Sequence, residues 1–427
     1  MKPNSLATRT DRLLSLVVRF GPWAMLAFCL MIFVAQTISL GRSIGSDTVV
    51  FYNAVQRTLT DPATLYHDER GVMGTAEALL GFLYPPPSIA MLLPFGLGTL
   101  ETGHRLLSLA ALACAVGAIA AWLALVERTG AVVTNGVERA ALIAMAVVTG
   151  SVFTCRHGQV DTLILAIVTL GVWLIFTART AVGAAVLAAG SWVKIYPAML
   201  MLPLLARRDT RWPAATGFIV GAGVVMLAAF AVFPLAVWLD FAKMLPAMAE
   251  RTITNVDNQS LVAIWARTVV PPEQALTTWE TIVVPAGLRL AVSAAAVITV
   301  AAFVLRAGQD RGQQLWAAAA TTAMISLIAP LGWGHSYAYV LPLLALSVGD
   351  AWARRRWVSL AIAGLLWAIY VIPAHRQFAA LSPDSPLWHL AYGRYAFATI
   401  ALLALAWRQM KRCEREAANV TLKSART

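Results

Sequence analysis

Residues 105–126 read RLLSLAALACAVGAIAAWLALV, and this apolar run decides the fold class of the chain. An α-helix of about 20 apolar residues is long enough to cross the hydrocarbon core of a bilayer. A helix also satisfies its backbone hydrogen bonds within the segment, which the bilayer core demands. We therefore expect residues 105–126 to form a transmembrane helix.

The composition extends this expectation to the whole chain. Of the 427 residues, 59% are hydrophobic and 13% are charged, whereas soluble domains carry about 25% charged residues. Further apolar segments lie at 20–40, 84–100, 139–156, 159–178, 181–205, 213–238, 281–305, 314–331, 336–350, 356–373 and 387–408. The sequence predicts an all-α polytopic membrane protein with about twelve transmembrane helices. Residues 20–408 would form one transmembrane domain, between a cytoplasmic N-terminus (1–19) and a cytoplasmic tail (409–427).

The net charge of +12 comes from short basic clusters between apolar segments. They are Arg207–Arg208–Arg211, Arg306–Arg311, Arg354–Arg355–Arg356 and Arg408–Lys411–Arg412–Arg415. This spacing is typical of cytoplasmic loops of membrane proteins and not of one nucleic-acid-binding face. The long loops 41–83 and 239–280 would then lie on the outer side. The four cysteines have no metal or redox spacing, so we expect no metal site and no cofactor.

Polar groups within or beside membrane segments are functional candidates by default because they are expensive there. Tyr84 precedes three prolines in FLYPPPSIAMLLPF (82–95), which indicates either a rigid helix start or a shaped binding wall. TCRHGQVDTLILAI (154–167) contains Arg156, Gln159 and Asp161. This stretch fits either a plain cytoplasmic turn or a polar site.

Lys194 lies within the apolar stretch GSWVKIYPAMLMLPLL (190–205), about 16 Å along a helix from the next basic loop. An ammonium at that depth requires an anion, either a carboxylate such as Asp161 or a bound phosphate. His335, in IAPLGWGHSYAYVLPLL (328–344), fits an aromatic interfacial belt or a substrate contact. Asn258 and Gln259 precede Ser260 in NVDNQSLVAIWAR (255–267), where such residues also cap helices.

Asp47 follows the first apolar run directly, at the start of SDTVVFYNAV (46–55). An aspartate there can cap an interfacial helix. It can also act as an acid or base on the outer face, because the basic clusters lie on the opposite side.

Taken in order, these stretches resemble glycosyltransferase family 87, the polyprenol-phosphate-sugar-dependent enzymes of the GT-C superfamily. The matching series is SDTVVFYNAV, LY, YPPP, GQVDTLI, KIYP with LMLP, NQSL and PLGWGHSYAYVLP, from about residue 47 to 344. The chain departs from the family pattern in two places. Thr48 follows the acid where the family often has an aromatic residue, and His335 stands alone where the family often has paired histidines.

The resemblance implies a GT-C-type fold with interfacial helices in the first outer loop, such as TAEALLGFL (75–83), and an outer-face active site. It implies Asp47 as the general base of an inverting transfer. The donor phosphate would meet Lys194, His335, Arg42 and Arg156, and the substrates would contact Tyr52, Asn53, Tyr84, Gln159, Asn258 and Gln259. The donor would be a polyprenyl-phosphate sugar, with mannose preferred over arabinofuranose. The acceptor would be an envelope glycolipid or polysaccharide at a bacterial plasma membrane.

The hydropathy pattern conflicts with part of this picture. It puts RHGQ (156–159) on the cytoplasmic side, far from Asp47, unless the flanking helices are short, kinked or re-entrant. A polytopic transporter or flippase is the alternative class, since many spans with buried charge suit one as well. Transporters tend to have repeated halves, whereas this chain has long loops on one face and no repeat.

Overall fold

The computed structural model describes residues 5–40, 44–68, 71–72, 81–129, 135–151, 155, 157–277, 279–329, 331–371, 381 and 385–424. Within these ranges the chain is almost entirely helical, which confirms the all-α prediction. Two short antiparallel strand pairs accompany the helices in these ranges, β1 (His67–Asp68) with β2 (Gly71–Val72) and β3 (Arg251–Ile253) with β4 (Thr281–Val283).

The helices of the described ranges are numbered here in chain order. The first nine are α1 (Ser5–Leu40), α2 (Ser46–Thr60), α3 (Ile89–Gly96), α4 (Leu100–Arg128), α5 (Gly136–Ala146), α6 (Asp161–Phe176), α7 (Thr180–Ser191), α8 (Met201–Leu205) and α9 (Arg211–Phe230). The others are α10 (Leu235–Glu250), α11 (Leu261–Val269), α12 (Pro272–Thr277), α13 (Ala286–Ala307), α14 (Arg311–Ile328), α15 (Leu341–Ala353), α16 (Trp357–Val371), α17 (Pro386–Tyr392) and α18 (Arg394–Ser424).

Among the residues that the structure describes, four helical segments are long and apolar enough to cross a bilayer. They are Leu14–Val34 within α1, α4, α9 and α13, and α17 with the Arg394–Arg412 part of α18 makes a fifth candidate that is bent by 76°. Several other apolar helices have 10–17 residues, including α6, α7 and α16. The protein is therefore a helical membrane protein, but the count of about twelve spans is not confirmed.

Several segments expected to be continuous spans are broken, among them 84–100 and 181–205. In 84–100, a 3-10 turn at Pro86–Ser88 leads into α3, which has 8 residues and contains Pro94. In 181–205, α7 ends at Ser191, and a separate 3-10 helix at Tyr196–Leu200 leads into α8. Prolines remove backbone donors and restrict the preceding residue, so apolar runs that contain them do not form one straight helix. Lys194 lies in the second break.

Small residues let α6, α7 and α9 pack closely. A methyl group on Gly183 of α7 would contact the carbonyl of Gly171 on α6. Gly217 and Gly221 of α9 lie against the backbone of α7, and a methyl group on Gly221 would come within 2.6 Å of Cα of Ala185. This small-residue spacing is the interface that membrane helices use for close approach. The antiparallel pair α6 and α7 brings the start of α6 next to the end of α7, where Asp161 and Lys194 lie.

The amphipathic helix α2 is anchored on α3. Its buried face contains Phe51, Ala54 and Val55, and Gly96 of α3 lies so close to Val55 that any side chain there would overlap it. This contact fixes the first turn of α2, which carries Asp47. The stretch 75–83 predicted to lie in the membrane interface is outside the described residues except for 81–83.

Candidate active site

A cavity of about 1280 Å³ opens where α2, the start of α6, the end of α7 and α10 meet. It exceeds the roughly 300–1,000 Å³ of most small-ligand pockets. Its polar lining includes Asp47, Tyr84, His157, Gln159, Lys194, Asp257 and His335. Its apolar lining includes Trp192, Phe218, Phe241, Leu245 and Met248 from the end of α7 and from α9 and α10. The cavity therefore has a charged end and an apolar wing.

Asp161 is the buried centre of the charged end. Its fully buried carboxylate accepts hydrogen bonds from Nζ of Lys194 at 2.8 Å and from Nδ1 of His335 at 2.6 Å. A buried carboxylate is tolerated only when it is paired and hydrogen-bonded. Of the two anions considered for Lys194, the structure supplies the carboxylate.

Lys194 keeps N–H donors for a ligand, and His335 keeps one ring nitrogen for it. An ammonium group has three N–H donors, and Lys194 uses one on Asp161 while its Nζ lies 5.4 Å from the ring centroid of Tyr84. The bond from Nδ1 of His335 to Asp161 leaves Nε2 without a hydrogen-bond partner among the described residues. Both side chains line the cavity. Asp161 thus orients the Lys194 ammonium and the His335 ring, and each keeps hydrogen-bonding capacity for a ligand.

Tyr84 connects the two sides of the charged end. Its hydroxyl donates to Oε1 of Gln159 at 3.1 Å, and its ring packs edge-to-face on Phe51 of α2 with centroids 5.3 Å apart. The hydroxyl of Tyr66 donates to its carbonyl at 2.6 Å. The carboxylates of Asp47 and Asp161 both act electrostatically on the Tyr84 hydroxyl.

Asp47 lines the cavity from the first turn of α2 and is only partly buried. The N-cap residue of this helix is Gly45, and no side chain caps it. The Asp47 carboxylate makes no hydrogen bond or ion pair with another described residue. A carboxylate at this end of a helix is stabilised by the helix dipole. Asp47 therefore does not cap α2. Its carboxylate oxygens have no hydrogen-bond partner among the described residues, so they are open to a substrate.

The segment 157–161 lies beside α2, contrary to the separation expected from hydropathy. Gly158 has φ +69°, and a methyl group there would overlap Oγ1 of Thr48. Oγ1 of Thr48 is also hydrogen-bonded to Nδ1 of His104 at 2.8 Å. The physical reason is that α5 has 11 residues and its π-helical turn at Val147–Ser151 adds 5. This helical run is shorter than the roughly 20 residues of a full span, so the chain can return to α2 after it. π-helical turns are common near functional sites. Thr48, next to Asp47, is thus a packing partner of Gly158.

Four of the expected substrate contacts do not line the cavity. The hydroxyl of Tyr52 donates to the carbonyl of Gly98 at 3.1 Å, and Asn53 is exposed on α2. Gln259 is fully buried, and its Nε2 donates to the carbonyls of Val256 (2.7 Å) and Tyr392 (2.6 Å).

Asn258, the fourth, is also fully buried. Its Nδ2 donates to Oγ1 of Thr252 and to the carbonyl of Ile253, both at 3.1 Å, and its Oδ1 accepts from the amide of Gly332 at 2.9 Å. Ser260 caps α11, as the sequence allowed, by accepting from the amide of Ala263 at 3.2 Å. Arg42 and Arg156 lie outside the described residues.

Sequence reasoning missed the lining residues Asp257, Trp279 and Trp333. Trp333 precedes His335 by two positions, which is the signal that could have drawn attention to it. Within the described ranges, no three His, Cys, Asp or Glu side chains are grouped closely enough to hold a metal ion.

The apolar wing is tied to the first loop by Asp240 of α10. Its carboxylate accepts from Nζ of Lys243 at 2.9 Å and lies 3.4 Å from Nε2 of His67. The hydrogen bond from Lys243, together with that from His67, holds the pKa of Asp240 below its usual value. The neighbouring Phe241 lines the cavity, so this cluster positions the wall of the apolar wing.

A largely helical membrane protein whose cavity joins a partly buried lysine, a partly exposed carboxylate and an apolar wing has the features expected of a membrane enzyme. The profile of glycosyltransferase family 87 matches residues 82–330, more than half of the chain, and the chain belongs to this family. It is therefore a membrane glycosyltransferase, and the resemblance is confirmed. The match covers Tyr84, Gln159, Asp161 and Lys194, whereas Asp47 and His335 lie outside it. No curated protein matches the chain.

Proposed function

We propose that this glycosyltransferase moves a sugar from a polyprenyl-phosphate donor to a hydroxyl group of a glycolipid or polysaccharide, with Asp47 as the general base. The observation that carries the proposal is that Asp47, Lys194 and His335 line one cavity together with an apolar wing. A base, a phosphate-binding pair and a lipid-compatible wall are the three elements that such a transfer needs.

The apolar wing supports a lipid-linked donor. Its aromatic and aliphatic side chains gain free energy when they contact a hydrocarbon chain instead of water. A nucleotide sugar would place a large polar group there without partners. The first isoprene units of a polyprenyl chain fit this wall, and the remaining units would lie in the bilayer.

The charged end supports departure of a phosphate. As the bond between the sugar C1 and the phosphate oxygen breaks, the electron pair stays on the phosphate, and donors aimed at it stabilise that charge. Lys194 has such donors, His335 adds one on Nε2 when its ring carries both protons, and Asp161 holds both side chains in position. Arg42 and Arg156 remain proposed phosphate contacts.

Asp47 would accept the proton of the acceptor hydroxyl as its oxygen bonds to C1. General base catalysis of this kind contributes about 10²–10⁴-fold to the rate. Transfer in one displacement inverts the anomeric carbon. Asp61, a conceivable second carboxylate, is used instead to cap a 3-10 turn by accepting from the amide of Ala63 at 3.0 Å.

Tyr84 and Gln159 are the proposed sugar contacts, because both line the same cavity as Asp47 and Lys194. Asn258 and Gln259 would act through the backbone that they hold, and Tyr52 and Asn53 would support α2. Mannose is the proposed sugar and the outer face of a bacterial plasma membrane the proposed location, both on the family resemblance alone.

The test is a transfer assay with purified protein in proteoliposomes. Polyprenyl-phosphate mannose and polyprenyl-phosphate arabinofuranose are supplied separately with a membrane glycolipid extract, and GDP-mannose serves as the control donor. We expect radiolabelled glycolipid and free polyprenyl phosphate with one lipid donor, and neither product with GDP-mannose. Transfer from GDP-mannose, or movement of an intact lipid-linked sugar across the bilayer without transfer, would overturn the proposal.

A further inference from the structure

Two tryptophans form an aromatic wall in the cavity. The rings of Trp279 and Trp333 have centroids 5.4 Å apart and planes inclined at 49°. Both side chains line the cavity, and so does Asp257. Trp279 is 47% exposed, so part of this aromatic surface is open to an incoming molecule.

The backbone next to Trp333 is held firmly. The amide of Gly332 donates to Asn258, and its carbonyl accepts from the amide of Gln259 at 2.7 Å. A methyl group on Gly332 would lie 2.9 Å from the amide nitrogen of Ser260, so only glycine allows this approach. These contacts fix the position of Trp333, which follows Gly332 directly.

Trp279 is held by the neighbouring pair of strands, β3 and β4. The carbonyl of Glu280 accepts from the amide of Thr254 at 3.0 Å, and the following strand β4 pairs with β3. The wall is thus formed before a ligand arrives, which reduces the entropy lost on binding.

A wall of this kind fits a sugar ring. The C–H faces of a sugar carry partial positive charge, and the negative face of an indole attracts them. A carboxylate such as that of Asp257 accepts hydrogen bonds from two neighbouring hydroxyl groups. Its negative charge also disfavours a phosphate beside it.

We infer that Asp257, Trp279 and Trp333 form the acceptor subsite and that the acceptor presents a neutral sugar ring to it. The role of acceptor rests on the proposed function, whereas the binding of a sugar ring is independent of catalysis. The competing explanation is an aromatic belt at the membrane interface. A belt faces lipid, whereas both indoles line the cavity together with a carboxylate.

The test is saturation-transfer difference NMR on the full-length protein in nanodiscs, which detects weak contacts. The probes are methyl α-mannopyranoside, methyl β-glucopyranoside and methyl α-arabinofuranoside, with glycerol as the non-ring control. We expect signal on the ring C–H protons of at least one glycoside. The signal should fall about tenfold in Trp279→Ala and recover in Trp279→Phe, which retains an aromatic face.

Trp212→Ala is the matched control, because Trp212 is exposed at the start of α9 and does not line the cavity. This variant should keep the wild-type signal. Absence of signal with all three glycosides, or equal signal in wild type and folded Trp279→Ala, overturns the inference. Glycoside binding without any sugar transfer would instead contradict the proposed function, whereas the sugar-binding subsite would still be supported.

Discussion

Nζ of Lys194 lies 2.8 Å from Oδ1 of Asp161, which joins the break after α7 to the first residue of α6. The Asp161 side chain is fully buried and that of Lys194 is 14% exposed. The pair therefore does two things at once. It closes the inner wall of the cavity, and it holds an ammonium group in a position where a phosphate can approach it.

Removal of one member of this pair should destabilise the protein. Asp161→Ala leaves the Lys194 ammonium without its partner, and breaking a buried pair in this way costs about 3–5 kcal/mol. The free energy of unfolding, measured by SDS titration in mixed micelles, should fall by that amount. Asp161→Leu combined with Lys194→Met should recover part of the loss, because no unpaired charge remains.

Lys194→Met alone separates the structural role from the ligand role. Asp161 keeps its hydrogen bond from His335, so this variant should fold, yet it should bind a polyprenyl-phosphate sugar more weakly. Normal donor affinity in folded Lys194→Met would show that the lysine serves only the buried pair. Wild-type stability in Asp161→Ala would contradict the assignment of the pair itself.

Gly158, which has φ +69° and lies against Thr48, should not tolerate a side chain. Gly158→Ala should displace α2 or the 157–161 segment, because the left-handed backbone and the overlap both oppose a methyl group. Sugar transfer should drop more than about tenfold, since Asp47 lies next to Thr48. Gly117→Ala is the matched control, since Gly117 in α4 has open space around it and alanine favours helix. Equal transfer by the two variants would contradict the proposed contact.

Much of the fold class can be predicted from the sequence, because the apolar run at 105–126 and the low charge content permit few alternatives. The breaks in the helices could not be predicted, because a hydropathy profile averages over Pro86 and Pro197 and therefore indicates continuous spans. The misplacement of RHGQ has the same origin. Hydropathy assumes full-length spans, whereas α5 ends after 11 residues in a π-helical turn.

Part of the candidate site could also be predicted from the sequence, and part could not. Asp47, Lys194 and His335 are recognisable because ionisable groups are rare and expensive in such a chain. The pairing of Lys194 could be proposed but not decided, since carboxylate and phosphate satisfy an ammonium equally well. Trp279 and Trp333 could not be found, because tryptophans in outer loops are equally typical of an interfacial belt.

Asp240, which lies on α10 outside the candidate spans, should make stability depend on pH. Its pKa is lower in the folded protein than in the unfolded chain because Lys243 and His67 bind its charged form. Its contribution to stability is therefore fully present above the unfolded pKa of about 3.9 and is lost as pH falls through the folded pKa. The contribution should stay below about 1 kcal/mol, since Lys243 is largely exposed.

The measurement compares the unfolding free energies of wild type and Asp240→Asn from neutral pH down to about pH 3, a range that includes the unfolded pKa of about 3.9. The gap between them should be largest near neutral pH and shrink on acidification. In a Lys243→Met background the gap should already be smaller at neutral pH. A gap that grows toward acid would have the wrong sign for a stabilised carboxylate.

Asp47→Asn tests most directly whether Asp47 is the catalytic base. Asparagine has nearly the same shape and preserves the start of α2, but its amide does not accept a proton near neutral pH. The rate of sugar transfer from the polyprenyl-phosphate donor is measured for wild type and Asp47→Asn in the same proteoliposomes, with donor binding and unfolding as controls. We expect normal folding and donor binding with transfer reduced by at least about 10²-fold. Transfer at the wild-type rate in folded Asp47→Asn would contradict the assignment.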